Sequence, residues 1–248
     1  MAERLDKVLA SQNFGSRKEV GSLIRKGMVT INGQLVKQPD CKVNPEADAI
    51  SVCGKPLFFE RFVYYMMNKP GRVLSAARDS RAETVLDLLP PELERRALFP
   101  AGRLDKDTEG LLIITNDGAF AHRMLAPKSG VEKVYHAVLD APVGAADIEA
   151  FEEGLNLGDW TCLPAKLRVL EEGETPLVEA TVCEGKFHQV KRMFAARGKT
   201  VLFLKRVKIG QLALDPNLQT GAVRKLSLQE RQAVFSQTPD SPAVKNPE

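Results

Sequence analysis

Cysteine is scarce in this 248-residue chain: Cys41, Cys53, Cys162 and Cys183 are the full set. No two of them form a C-x-x-C pair, and no histidine pair accompanies them. These spacings argue against a zinc site or a disulfide framework and favour small side chains in a reduced protein. Histidine is rarer still, with three copies, and tryptophan occurs once. No stretch approaches the ~18 uninterrupted apolar residues that a membrane span requires. The first residues, Met1-Ala-Glu-Arg-Leu-Asp-Lys7, lack the apolar core of a signal peptide. The expectation is a cytoplasmic protein with no membrane partner. Neither G-x-x-x-x-G-K-[ST] nor a dinucleotide fingerprint is present, so nothing in the sequence asks for a nucleotide cofactor or a metal.

What is present is ordinary in amount and uneven in placement. The hydrophobic share, 44%, is that of a soluble globular protein, and the net charge is only +3. Yet Gly185 to Leu214 holds eight cations (Lys186, Lys191, Arg192, Arg197, Lys199, Lys205, Arg206 and Lys208) and no Asp or Glu. From Met1 to Lys37, seven cations (Arg4, Lys7, Arg17, Lys18, Arg25, Lys26 and Lys37) face three carboxylates. Asp147 to Glu179 runs the other way, with nine acidic residues against Lys166 and Arg168. A charged run is often only a solvated face, but two basic regions flanking an acidic one predict a nucleic-acid face and a solvent face.

At this length the chain can form one large domain or two smaller ones. Residues 1–57 read as a separate module. Leu5, Val8 and Leu9 fall on one helix face. Ser16-Arg-Lys-Glu19 is a capping box that starts a second helix, which carries Val20, Leu23 and Ile24 inward and ends at Gly27. Val29–Ile31, the Asn32-Gly33 turn and Leu35-Val36 read as a hairpin. Residues 55–61 read as a connection. Residues 62–232 read as the larger domain, and 237–248, rich in Pro, Ser and charge, as a disordered tail. Within the larger domain, strands are expected at 63–67, 111–115, 133–139, 177–183, 201–204 and 211–214. Helices are expected at 84–89, 119–125, 147–155 and 187–197, with turns at 68–71 and 116–118. Single helices among many strands predict an α+β fold on a mixed, mostly antiparallel sheet.

The strongest chemical signal is Ala101-Gly-Arg-Leu-Asp-Lys-Asp-Thr-Glu-Gly110, which runs straight into Leu-Leu-Ile-Ile-Thr115. It puts a carboxylate, Asp105, in a loop held by a rigid strand, with Arg103 two positions earlier. Taken alone, Asp105 or Asp107 could equally stabilise a turn. Gly102-Arg-Leu-Asp105 followed by Thr108-Glu-Gly110-Leu-Leu resembles the catalytic signature of the pseudouridine synthases. It is most similar to the RsuA type, which modifies ribosomal RNA. Asn68-Lys-Pro70-Gly71, Glu132-Lys-Val-Tyr135 and Glu184-Gly-Lys-Phe-His-Gln-Val-Lys-Arg-Met193 match the same family in the same order, so the resemblance spans about Val63 to Asp215. The N-terminal module resembles the small RNA-binding domain named after ribosomal protein S4. Its cations Arg4, Lys7, Arg17, Lys18, Arg25 and Lys26 are its candidate RNA contacts.

The resemblance implies an isomerisation that needs no cofactor: uracil is detached from ribose at N1–C1′, turned over and rejoined through C5. Asp105 matches the catalytic carboxylate, which would act on the electron-poor sugar. Tyr135 matches a tyrosine that stacks on the base and assists proton transfer. Lys191 matches the basic partner of the carboxylate, with Arg192 the neighbouring alternative, since adjacent helical residues point about 100° apart. Arg103 matches the residue that fills the space a flipped base leaves. His188, Gln189 and Arg192 are candidate RNA contacts. Asp107 as the second carboxylate of a glycosidase pair is the less favoured alternative, and Trp160 has no evident role. In large-subunit relatives the segment before the basic helix tends to read Gly-x-Asn-Arg. Here it is Gly185-Lys-Phe-His-Gln189, which points to small-subunit ribosomal RNA or an assembly intermediate as the partner of a monomeric enzyme. The alternatives are the large-subunit RNA and a non-catalytic assembly factor.

Overall fold

The structure is a computed structural model; it describes residues 2–93 and 97–236, and the expected tail at 237–248 lies outside them. One compact unit runs to Val63 and takes in Leu89–Leu98; the other comprises Tyr64–Leu88 and the chain from Phe99 onward.

The first unit contains β1 (Glu3–Arg4), α1 (Leu5–Ser11), α2 (Arg17–Arg25), β2 (Val29–Ile31), β3 (Gln34–Val36), β4 (Lys42–Val43), β5 (Ile50–Val52) and β6 (Lys55–Pro56). The capping box forms as read: Ser16 Oγ accepts the Glu19 N–H, and the Glu19 carboxylate accepts the Ser16 N–H at 2.7 Å. Asn32 and Gly33 both take positive φ (50° and 80°). Such a turn matches the right-handed twist of β2 and β3. Leu5, Val8, Leu9, Val20, Ile24 and Val29 close the core with Ile50 and Val52. Residues 55–61 are not wholly a connection, because Lys55 and Pro56 pair with β5 as an edge strand.

The second unit contains β7 (Tyr64–Lys69), β8 (Phe99–Ala101), β9 (Glu109–Thr115), α3 (Gly118–Leu125), β10 (Lys133–Leu139), α4 (Ala145–Glu153), β11 (Lys166–Glu171), β12 (Leu177–Val182), α5 (Gln189–Ala195), β13 (Val201–Ile209), β14 (Leu212–Ala213), β15 (Val223–Lys225) and α6 (Leu228–Ala233). The sheet order is β11-β12-β10-β13-β9-β7-β15, with β14 added to β13 and β8 to β9. Among the named strands of the described residues, β13 and β9 pair in parallel, Lys205 opposite Glu109 and Arg206 opposite Gly110, and the other ladders of this sheet are antiparallel. That close pairing is why position 110 is glycine. It sits at φ +99°, and a Cβ there would lie 2.2 Å from the Arg206 carbonyl oxygen. The expected α+β class and mostly antiparallel mixed sheet are found.

Several elements differ from expectation, each for a local reason. Residues 84–89 make a single turn, not a helix: Asp87 accepts both the N–H and the hydroxyl of Thr84, and Pro90 and Pro91 follow. Asp117 is more than a turn residue, because it caps α3 by accepting from the Ala119 and Phe120 N–H groups. α5 starts at Gln189 and not Phe187, since His188 is left-handed at φ +51°. β13 runs through Lys205–Lys208 to Ile209, so that basic stretch is strand and not loop. β11 and α6 are present without having been expected.

The eight-cation segment, which holds no acidic residue of its own, finds partners elsewhere in the chain. Lys186 pairs with Glu184, Lys191 with Asp105 and Asp107, Arg192 with Asp159, and both Arg197 and Lys199 with Asp147. Arg206 is buried, donating Nε to the Leu111 carbonyl at 2.8 Å, and one of its terminal nitrogens is buried without a partner among the described residues. The acidic run supplies counter-ions to the basic one across the fold. Asp147 is the pivot: it accepts from Arg197 at 2.9 Å and caps α4 through the Gly144 N–H at 3.0 Å, with Lys199 at 2.8 Å.

Burial pushes the Asp147 carboxyl up, but hydrogen bonds from Lys199, the Gly144 N–H and Arg197 outweigh it and bring its pKa to about 2. In the unfolded chain the value is about 3.9, so the stability this group contributes is full above that pH and is lost as pH falls through about 2. Asp147→Asn is expected to lower the unfolding free energy by about 3 kcal/mol at neutral pH. Urea unfolding at a series of pH values checks this: the gap between wild type and variant should close toward pH 2.

Candidate active site

The loop 102–108 joins β8 to β9, and its shape is imposed from β7. Lys69, the last residue of β7, is fully buried. Its Nζ lies 2.9 Å from the Pro70 and Thr108 carbonyl oxygens, 3.2 Å from that of Asp105 and 3.3 Å from that of Lys106. Burial pushes this ammonium down to about 8, against the pull of Asp107, Glu109 and Asp105. Ser75 Oγ holds the same loop from the other side, donating to the Leu104 carbonyl at 2.8 Å and accepting the Leu104 N–H at 3.0 Å. The Thr108 N–H closes a turn onto the Asp105 carbonyl. Lys69 and Ser75 are absent from the set the sequence singles out. The signal for Lys69 is a lysine ending the apolar run Tyr64-Tyr-Met-Met67.

The clamped loop presents Asp105 to α5. Lys191 Nζ lies 3.3 Å from Asp105 Oδ2 and 2.6 Å from Asp107 Oδ1, and His188 Nε2 lies 3.6 Å from Asp105 Oδ1. The Lys191 hydrogen bond holds the Asp107 carboxyl below its usual range. Between the two neighbouring cations, Lys191 faces the carboxylate. Arg192 turns away to Asp159 and the Leu157 carbonyl, with its guanidinium 4.1 Å from the Trp160 ring centre; Lys186 lies 4.9 Å from the same ring. Trp160 therefore has a role after all, as the plate on which two cations of the basic segment rest.

Asp105, Tyr135, Arg103, His188 and Lys191 line one cavity of about 50 Å³. Arg103 is exposed there and has no ion pair among the described residues. Tyr135 is on the wall, on the same sheet face as Arg206, Ala180 and Leu204. Gln189, expected as an RNA contact, is buried: its amide donates to Glu184 and accepts the Lys186 N–H, bracing the loop before α5 at the edge of the same cavity. A larger groove of about 670 Å³ lies on the opposite face, lined by Val134, His136, Glu179 and Lys205 among others. Strand side chains alternate in direction, so that groove and Tyr135 are on different sides of the sheet. In it Lys166 pairs with Glu132, and Arg168 with Glu179. None of the expected catalytic residues lines it.

In the first unit, Arg4 and Arg17 both pair with Asp6, which their hydrogen bonds hold at a pKa of about 2 against burial, and Lys7 pairs with Glu3. Lys18, Arg25 and Lys26 are exposed and carry no ion pair among the described residues. No helix among the described residues is long and apolar enough to cross a membrane, and no group of three or more metal-binding side chains occurs among them.

Residues 63–196 match the family described as RNA pseudouridylate synthase, and residues 3–48 match the S4 domain. A Bacillus subtilis protein named as an uncharacterized RNA pseudouridine synthase is 46% identical, over 92% of this chain and 96% of its own length. The ribosomal small subunit pseudouridine synthase A of Vibrio cholerae is 40% identical over 94% of this chain and 99% of its own. The ribosomal large subunit pseudouridine synthase B of Bacillus subtilis is 36% identical over 92% and 93%. A pseudouridylate synthase crystal structure superposes with a TM-score of 0.66 at 36% identity, covering 94% of this chain and 99% of that one.

Lys69→Met removes the ammonium while leaving its carbonyl oxygens buried, at about 1–3 kcal/mol for each left unpaired. The expected result is a lower Tm together with faster amide exchange at 105–108. A variant whose loop 102–108 exchanges as slowly as wild type would show that the clamp lies elsewhere.

Proposed function

The chain belongs to the RNA pseudouridylate synthase family, and from that membership we propose that it converts a single uridine of small-subunit ribosomal RNA to pseudouridine, with Asp105 acting at the ribose. The observation that carries this reading is the meeting of Asp105, Lys191 and Tyr135 in one cavity on a clamped loop. Breaking N1–C1′ leaves the sugar electron-poor, and a fixed carboxylate can bond to it or take a proton from it. Lys191 orients that carboxylate. The Tyr135 ring supports the detached base while C5 is turned toward C1′, and its hydroxyl serves the proton leaving C5. Arg103, exposed at the mouth, takes the place of the flipped base in its stack.

The small-subunit assignment rests on Gly185-Lys-Phe-His-Gln189 and on the likeness to the small-subunit enzymes. The S4 domain supplies a second RNA surface, with Lys18, Arg25 and Lys26 in reach of phosphate. Lys7 can join them, because its largely exposed ion pair with Glu3 is worth under about 1 kcal/mol; Arg4 and Arg17, both exposed on their outer side, reach phosphate while staying paired to the buried Asp6.

Purified wild type and Asp105→Asn should be given naked small-subunit RNA, a partly assembled small subunit, large-subunit RNA and a short stem-loop in parallel. Wild type is expected to modify a small-subunit substrate and to work poorly on the stem-loop; the variant should bind within a few fold and form no product. Preference for large-subunit RNA overturns the substrate, and near-normal turnover by Asp105→Asn overturns the assignment of the carboxylate.

Replacing Lys18, Arg25 and Lys26 together with alanine should weaken RNA binding and flatten its salt dependence. The slope of log affinity against log salt should fall by about 0.7 for every phosphate that the variant no longer neutralises. A slope equal to that of wild type would remove these three cations from the RNA surface.

A further inference from the structure

Phe187 is 72% exposed, yet it is not a loose surface residue. Its ring lies flat on the imidazole of His188, with centroids 3.7 Å apart and planes 18° from parallel. His188 lines the catalytic cavity with its Nε2 3.6 Å from Asp105. The backbone of His188 is left-handed at φ +51°, an uncommon conformation for a non-glycine residue. It sits immediately before α5, where continuing the helix backward would have required a right-handed turn. The result is a two-layer aromatic stack: one layer in the cavity wall beside the carboxylate, the other with its outer face open to solvent. The layer spacing is close to the ~3.4 Å repeat of stacked nucleotides. Single exposed apolar side chains are common and need no explanation. This one continues a stack whose inner layer, His188, lies beside Asp105.

We propose that the open face of Phe187 is a stacking subsite for the base of a nucleotide neighbouring the target uridine. The subsite takes a nucleobase without reading its hydrogen-bonding edge, because every base has a π face. With the uridine extracted and its ribose at Asp105, the strand loses stacking on the side of the vacated position, and the Phe187 ring replaces it. Phe187 thereby holds the flanking nucleotide in register while His188 separates it from the carboxylate. Lys186 and Arg192, on the loop and helix that carry Phe187, rest on Trp160 instead, and no cation of the described residues stacks on the Phe187 ring. The role is one of positioning, since Phe187 does not touch the reacting atoms.

This subsite rests on the pseudouridine synthase reading above, and the experiment separates the two. Wild type, Phe187→Ala, Phe187→Leu, Phe187→Tyr and Phe187→Trp are compared on the ribosomal RNA that wild type modifies, with KM and kcat determined separately. One stacked base is worth about 1–3 kcal/mol, so Phe187→Ala should raise KM about 5- to 150-fold and change kcat far less. Phe187→Leu, which keeps apolar area but has no flat ring, should behave like Phe187→Ala, while Phe187→Tyr and Phe187→Trp restore the wild-type KM. Adding the RNA to Phe187→Trp should also quench tryptophan fluorescence beyond the change seen from Trp160 in wild type. Wild-type KM in Phe187→Ala, rescue by leucine, or no extra quenching in Phe187→Trp overturns the subsite while the enzyme remains a pseudouridine synthase. A wild type that forms no pseudouridine on any ribosomal RNA overturns the underlying reading, and the subsite with it.

Discussion

A buried ammonium with four backbone carbonyls around it is the constraint on which the catalytic loop depends. Lys69 brings three carbonyls of the loop 102–108 toward one point, and an ammonium has only three protons to share. The arrangement is costly to bury and has one geometry that satisfies it. With the loop fixed, β9 begins where Gly110 can approach β13 without a Cβ in the way, and the parallel pairing of the two strands forms there. The order of dependence therefore runs from a lysine at the end of one strand, through a loop, to the register of another.

Electrostatics organises the rest of the larger unit by the same logic of specific partners. The basic segment and the acidic one are separated in sequence, but Asp147 and Asp159 take up Arg197, Lys199 and Arg192 when the chain folds. Little of the formal charge excess of residues 185–214 is left on the surface. Lys191 differs from its neighbours because its partners, Asp105 and Asp107, sit on the clamped loop. Its charge is thus tied to that loop, whereas that of Arg192 is tied to Asp159 and the neighbouring Trp160 ring.

Local rules were enough to read the parts of the fold that obey local rules. The Ser16–Glu19 capping box, the Asn32-Gly33 hairpin and the alternation of β10 each depend on residues within one element, and each is found. The helix expected at 84–89 fails for a reason equally local, the grip of Asp87 on Thr84, but weighing that side-chain bond against helical periodicity needs the fold. At the site, the motif located Asp105, Tyr135 and Lys191. It could not separate Lys191 from Arg192, because that choice is made by Asp159 and Trp160, 32 or more residues away. Ser75 was illegible for the same reason, and Lys69, though it lies in the Asn68-Lys-Pro70-Gly71 motif, did not show its task, since the loop groups they hold are 29 to 39 residues downstream. Gln189 sits in a motif of surface-seeking residues, and only the fold shows it spent on Glu184.

The way the cavity around Asp105 is walled has a consequence for how it tolerates damage. Its lining comes mainly from three stretches, the loop 102–108, β10 and residues 184–191, and each is braced from a different direction. Lys69 and Ser75 hold the first, β12 and β13 flank the second, and the Gln189–Glu184 contact ties the third together. Loss of one brace loosens one wall and leaves the other two in place. A site supported in parallel in this way loses its alignment by degrees, whereas one hung from a single element loses it in one step.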